Sequence, residues 1–277
     1  MKELLKRILK SLKIYHPLQL FYRNSINAAK RMSYRIKYSK YKGKGFICDF
    51  CNSRYQKFVP EYPSPAEAEA INTNEVIAGF GENVYCPYCM SKNRERLLRA
   101  VMENLLDIKN AAILHFSPEE HLYDYLKDRA KVTTADITPG FYKNIDRSIR
   151  QADATKLPFS DETFDVVIAN HILEHIPEDI KALKEFNRVL KKGGFAILQV
   201  PYSEKLKTTI EDPFIDNPEL QERLYGQKDH VRIYALENYL ERLRIANFTT
   251  NVWTADVLKQ FAVYAIQDKE CVILGYK

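Results

Sequence analysis

Glycine is scarce in this chain, with 9 among 277 residues and none between Gly81 and Gly140. Glycine lets a backbone approach a bound phosphate without a Cβ in the way. The gap therefore weighs against a nicotinamide dehydrogenase, whose pyrophosphate presses on a glycine-rich first turn. Long apolar runs are missing too: no stretch approaches the roughly 18 to 20 uninterrupted apolar residues that span a bilayer, which leaves a soluble or peripheral protein. The N-terminus shows no short apolar core followed by a small-residue cleavage site, so the expected location is cytoplasmic. Acidic residues are nearly absent from residues 1 to 45, where Glu3 stands against thirteen Lys or Arg; that segment is +12 and the remainder −6. A basic block of this kind meets phosphate, on lipid head groups or on nucleic acid.

Cysteine is sparse as well, but four of the five are paired as Cys48-x-x-Cys51 and Cys86-x-x-Cys89, with Cys271 apart. In a reducing compartment, paired CxxC elements point to metal rather than disulfides. Each such turn presents two thiolates from one backbone reversal, and zinc prefers four soft ligands in a tetrahedron. Cys48, Cys51, Cys86 and Cys89 are therefore candidate zinc ligands, with a structural role because a closed thiolate shell leaves no open position. The 34 residues between the two turns exceed the usual ~15 to 20, which implies an inserted loop, here carrying Pro60, Pro63 and Pro65. Ahead of this unit, Leu4, Leu5, Ile8, Leu9 and Leu12 recur at helical spacing among lysines and Arg7 over residues 2 to 14. That is a basic amphipathic helix suited to an anionic membrane surface, to packing on the main domain, or to nucleic acid. The chain divides into a basic segment (1–45), a small zinc-ribbon-like module (46–92) and a larger domain (93–277).

From Asn93 a helix leads into alternating elements. Strands are expected at 111–116, 132–136, 165–170, 194–200 and 270–276, with helices near 118–128, 178–191 and 234–246. This order predicts a doubly wound α/β domain with a mostly parallel sheet covered on both faces. In such sheets ligands bind outside the carboxyl ends of the strands. The first strand opens into Ser117-Pro-Glu119. The second ends on Asp136, followed by Ile137, where a carboxylate can accept both ribose hydroxyls. Asp153-Ala154 comes next, and the strand from Phe164 ends at Asn170-His171.

The most specific feature is Asp153-Ala-Thr-Lys-Leu157-Pro158-Phe159-Ser-Asp161-Glu-Thr-Phe164-Asp165-Val-Val167, continued by His171-Ile-Leu-Glu174-His175-Ile-Pro177, Arg188-Val-Leu190 and Lys192-Gly193-Gly194. Over roughly residues 93 to 277 the chain resembles the class I S-adenosylmethionine-dependent methyltransferases. The resemblance implies a seven-stranded Rossmann-like sheet and S-adenosylmethionine as cofactor. It places Asp136 and Ile137 at the ribose, Asp153 and the Ala154 N–H at the adenine, and Asn170 and His171 where the methyl group is transferred. The departure is the first loop, which has His115 at the usual acidic position and Ser117, Glu119 and His121 where glycines are expected. Glu119 is then expected to meet the methionine ammonium, with nearby helix N–H groups meeting the carboxylate; the alternative is lost cofactor binding.

His171-x-x-Glu174-His175 also fits an inverted zinc-protease pattern, but that pattern needs both histidines on one helix, and His171 directly follows a strand. Past the fifth strand, Asp229-His230-Val-Arg232-Ile-Tyr234 looks like a subgroup associated with surface polysaccharide and glycan biosynthesis, and Asn247 stands at a helix stop. Arg232 and Tyr234 of this run are then expected to contact a substrate, or the run merely latches the loop; His230 and His171 are candidate bases, because neutral imidazole is available near pH 7. The function expected is O-methylation of a sugar or glycan-type acceptor near the inner face of the membrane. Its rivals are an RNA methyltransferase and a non-catalytic scaffold.

Overall fold

The computed structural model describes residues 15–212 and 214–277; the helix expected over 2–14 lies outside them. The description opens on helix α1 (Tyr15–Lys37). Four short strands follow, β1 (Lys42–Ile47), β2 (Arg54–Tyr55), β3 (Val59–Glu61) and β4 (Gly81–Tyr85), paired β1 with β2 and β3 with β4, both antiparallel. They bring the two CxxC turns together around a small core of Tyr38, Tyr55, Phe58 and Val59. Between β3 and β4 the long gap is filled by helix α2 (Pro65–Thr73), which starts on a capping box: Ser64 Oγ accepts from the Glu67 N–H while the Glu67 carboxylate accepts from the Ser64 N–H.

The larger domain starts with α3 (Asn93–Asn104) and β5 (Ala112–Phe116), then α4 (Glu120–Leu126), β6 (Lys131–Asp136), β7 (Arg150–Gln151) and β8 (Phe164–Ala169). After β8 come α5 (Asp179–Val189), β9 (Leu190–Ile197), β10 (Tyr202–Ser203), β11 (Ile210–Glu211), α6 (Pro218–Tyr225), β12 (Arg232–Ala235), α7 (Leu236–Ile245), β13 (Thr249–Trp253) and β14 (Val272–Tyr276). The main sheet runs β13-β14-β9-β8-β5-β6-β7. Strands β7, β6, β5, β8 and β9 are parallel, whereas β14 runs antiparallel to both of its neighbours. Strand β8 reads as a near-continuous apolar run because helices cover both faces of the sheet. Helix α5 is amphipathic: Ala182, Leu183, Phe186 and Val189 face the core, and each of the larger side chains contributes about 1.5–3 kcal/mol by burial. From β5 the chain winds outward to β6 and β7 and then crosses back to β8, so the sheet switches direction between β5 and β8. Crevices for ligands form at such switch points.

Elements differ from the expected pattern where tertiary contacts decide. Strand β9 begins at Leu190 rather than 194, because a bulge at Gly193 (φ +79°) carries the pairing with β8 past Lys192. Tyr234, expected to open a helix, lies in β12, the central strand of a three-stranded sheet with β10 and β11. The stop at Asn247 is in the left-handed conformation, φ +66°. Module and domain are riveted together by Arg96 of α3. Fully buried, it donates to the carbonyls of Asn83, Val84 and Ser91 on one side and of Tyr264 and Ala265 on the other. The inserted loop packs α2 against α6, and Ile77 pairs with Tyr202, so it braces the segment that follows the fifth parallel strand.

Candidate active site

The carboxyl ends of β5, β6 and β8 open into a cleft of about 700 Å³. Ser117, at the tip of β5, adopts φ +49°, a left-handed turn of the kind glycine ordinarily supplies; its N–H donates to the Ala135 carbonyl at 2.8 Å and its hydroxyl to Asp136 Oδ2 at 2.6 Å. Asp136 is buried, and its other oxygen accepts from the Thr138 N–H at 2.6 Å. Each carboxylate oxygen has two acceptor sites, so both keep capacity for a hydroxyl. Across the cleft Asp153 Oδ1 accepts from the N–H and hydroxyl of Thr155, both at 2.8 Å, which turns the loop so that Asp153 and Ala154 line the opening. Ile137 lines it too.

The glycine-free turn is rebuilt around Glu119. His115, fully buried at the end of β5, is 2.8 Å through Nε2 from Glu119 Oε2, and Asn170 Nδ2 donates to Glu119 Oε1 at 3.2 Å. Thus a carboxylate still stands beside the tip of β5, supplied from four residues later. Asn170 Oδ1 and His115 Nδ1 are buried without a hydrogen-bond partner, and buried polar atoms are normally satisfied. Asn170 lines the carboxylate-bordered cleft, so its unpaired oxygen fits a polar ligand such as S-adenosylmethionine.

His171, at φ +53° just after β8, lines the cleft with its Nδ1 3.6 Å from Glu174 Oε1. Burial, helped by the Arg94 cation, pushes its pKa below the ordinary 6.5 and favours the neutral ring. Arg94 and Tyr142 also line the cleft, and no strand-tip pattern marks them in the sequence. Tyr142 is pushed up to about 12 by burial and the Asp136 charge. Helix α1 reaches the same loop, with Arg23 donating to the Phe141 carbonyl at 2.7 Å and to Asn144 Oδ1 at 3.0 Å.

Other expected site residues lie elsewhere. Arg232 is buried and donates to the carbonyls of Leu173, Ile176 and Pro177 and to Glu211 Oε2. It borders a second cavity of about 1100 Å³ between α5, α7 and the β11 region. Tyr234 is fully buried and donates to Asp179 Oδ2 at 2.7 Å. The polar atoms of these two residues latch the β12 segment to the loop after β8, the other reading that the sequence left open for them. His230 is buried, its Nδ1 3.2 Å from the Tyr225 carbonyl, while His175 lines the cleft. In the module, one sulfur from each of Cys48, Cys51, Cys86 and Cys89 lies within 4.8 Å of the others, with Cys48 to Cys89 at 3.5 Å and Cys51 to Cys86 at 3.7 Å. Four sulfurs ~2.3 Å from one tetrahedral ion would be ~3.8 Å apart.

Residues 118–198 match a family described as a methyltransferase domain. The fold is that of a class I methyltransferase. Among solved structures, a chain from a complex of the Haloferax volcanii Trm112 methyltransferase activator is similar at a TM-score of 0.50 and 16% identity, covering 66% of this chain and 90% of that one. A demethylmenaquinone methyltransferase of Alkalihalophilus pseudofirmus is 49% identical over 47 residues, 17% of this chain and 20% of the relative. Escherichia coli YafE is 28% identical over 148 residues, 53% of this chain and 64% of that protein. The chain thus spans less than two thirds of the length of either relative.

Proposed function

We propose that this protein is an S-adenosylmethionine-dependent methyltransferase acting on a hydroxyl of a sugar-type acceptor beside an anionic membrane surface. The observation that carries the first part is the cleft at the switch point, ringed by Asp136, Asp153, Glu119 and Asn170. When bound, the cofactor supplies an electrophilic methyl carbon on sulfur. Asp136 would accept the ribose hydroxyls, Asp153 and the Ala154 N–H would meet the adenine, and Glu119 would pair with the ammonium. Arg94 offers a cation for the carboxylate. His171 is the candidate base, because a neutral imidazole beside the cleft can take a hydroxyl proton near pH 7. Calorimetric titration with S-adenosylmethionine tests this: binding heat in the wild type that disappears in Asp136→Ala/Asp153→Ala supports it, and undiminished heat in the double variant rejects it. No heat in the wild type would favour a scaffold.

The acceptor class rests on the likeness of the Asp229–Tyr234 run to glycan-type enzymes. The membrane setting rests on α1, whose Leu18, Phe21, Tyr22, Met32 and Ile36 are exposed among Arg23, Lys30, Arg31 and Arg35. No helix among the described residues is long and apolar enough to cross a membrane. RNA is the rival acceptor, and it predicts binding that weakens steeply with salt. We assign zinc to the four cysteines, in a structural role.

A further inference from the structure

A second set of metal-type donors lies at the edge of the cleft. Glu174, His175 and His230 each place a ligand atom within 4.8 Å of the other two. Two ligands ~2.1 Å from one ion can be at most ~4.2 Å apart, so small side-chain rotations suffice to close the shell. The rings stand edge to face with centroids 4.7 Å apart. His175 Nδ1 is 3.2 Å from the Asp229 carbonyl and His230 Nδ1 is 3.2 Å from the Tyr225 carbonyl. A carbonyl can only accept, so Nδ1 is the donor in both rings, which leaves Nε2 as the nitrogen available to an ion. Second-shell bonds of this type orient metal-binding histidines.

An independent observation points to a ligand. Glu174 is 98% buried, given its 2% exposure, and its Oε2 has no hydrogen-bond partner. A buried carboxylate oxygen left unpaired is costly, and such groups are usually paired or bound to metal. We propose that Glu174, His175 and His230 form a binding site for a divalent first-row transition ion. Two imidazoles and one carboxylate suit zinc, cobalt, nickel or iron(II) rather than magnesium or calcium, and three protein ligands leave coordination positions open. Because His175 lines the cleft, those positions are within reach of a bound acceptor oxygen; this last step, unlike the site itself, rests on the methyl-transfer reading.

The test uses the full chain with its cysteine site loaded with zinc and cobalt(II) then added. The site predicts one further equivalent of cobalt per chain, with d–d absorption and no thiolate-to-cobalt charge-transfer band. Glu174→Gln and His175→Gln should each weaken that equivalent by more than the roughly 10- to 100-fold typical of losing an outer-shell partner. No added equivalent in the wild type overturns the site, as does an equivalent that survives both substitutions. Should either variant fail to fold, proton NMR of the wild type decides: cobalt must shift the ring signals of His175 and His230, and unshifted rings overturn the proposal. None of these readouts involves methyl transfer, so the site can fail while the enzyme reading stands.

Discussion

Under the proposed methyltransferase reading, Asp136 is the residue on which cofactor recognition turns. Its carboxylate already accepts from Ser117 and Thr138, which fixes its orientation before any ligand arrives. Hydrogen bonds to a charged group contribute about 1.5–3 kcal/mol, so Asp136→Ala should weaken S-adenosylmethionine binding about 10- to 150-fold in calorimetry. His171 gives a pH prediction. Its folded pKa is depressed, so the ring stays neutral below pH 6.5 and protonates only at more acid pH. An NMR titration should place its midpoint under 6.5, and any acid limb of kcat due to it should lie there too. Glu270 behaves oppositely: complete burial raises its pKa from 4.5 to about 7, against the pull of Arg94 and Arg96. The folded state then holds a proton the unfolded chain has released, so stability falls as pH rises from about 4.5 to 7. Glu270→Gln should stabilise the protein by about 1–3 kcal/mol at pH 8 and much less at pH 5, as measured by urea denaturation.

Among the elements, α1 ties the basic segment to the cleft, because Arg23 grips the loop that carries Tyr142. Its exposed apolar and basic side chains predict pelleting with anionic liposomes that is lost when residues 1–45 are removed and weakened by salt. Equal pelleting of both forms would reject the role given to the segment. The cysteine module is likewise bound to the domain, through Arg96. Removing the proposed zinc with a chelator, or Cys86→Ser, should therefore lower the Tm of the single main transition, by roughly 2–4 °C per kcal/mol lost, instead of melting a separate small unit. Two resolved calorimetric transitions would contradict that coupling. The element-scale pattern of the main domain was legible: the strands ending at Phe116 and Asp136 fall within a residue of expectation because alternating apolar runs leave little choice. Strand β12 was not, since Arg232-Ile-Tyr234 looks exposed and polar until Asp179, Glu211 and three carbonyls satisfy it.

At the scale of the molecule, the charge asymmetry of the sequence becomes a spatial one. The basic helix and the acid-lined cleft lie on neighbouring surfaces, sharing the groove in which Arg23, Lys30 and Arg31 face Glu119 and Tyr142. By itself the sequence determined the α/β winding, the four thiolates and the strand-tip residues Asp136, Asp153 and Asn170, because periodicity and strand ends are local properties of a chain. Only the tertiary structure decided that Glu119, expected from the sequence to meet the ammonium, pairs with the buried His115, that Arg232 and Tyr234 are hydrogen-bonded inside the fold, and that Glu174, His175 and His230 converge. Those facts depend on which side chains meet across distant segments, because the partner a buried polar group finds there decides whether it is left free for a ligand or consumed by a neighbour.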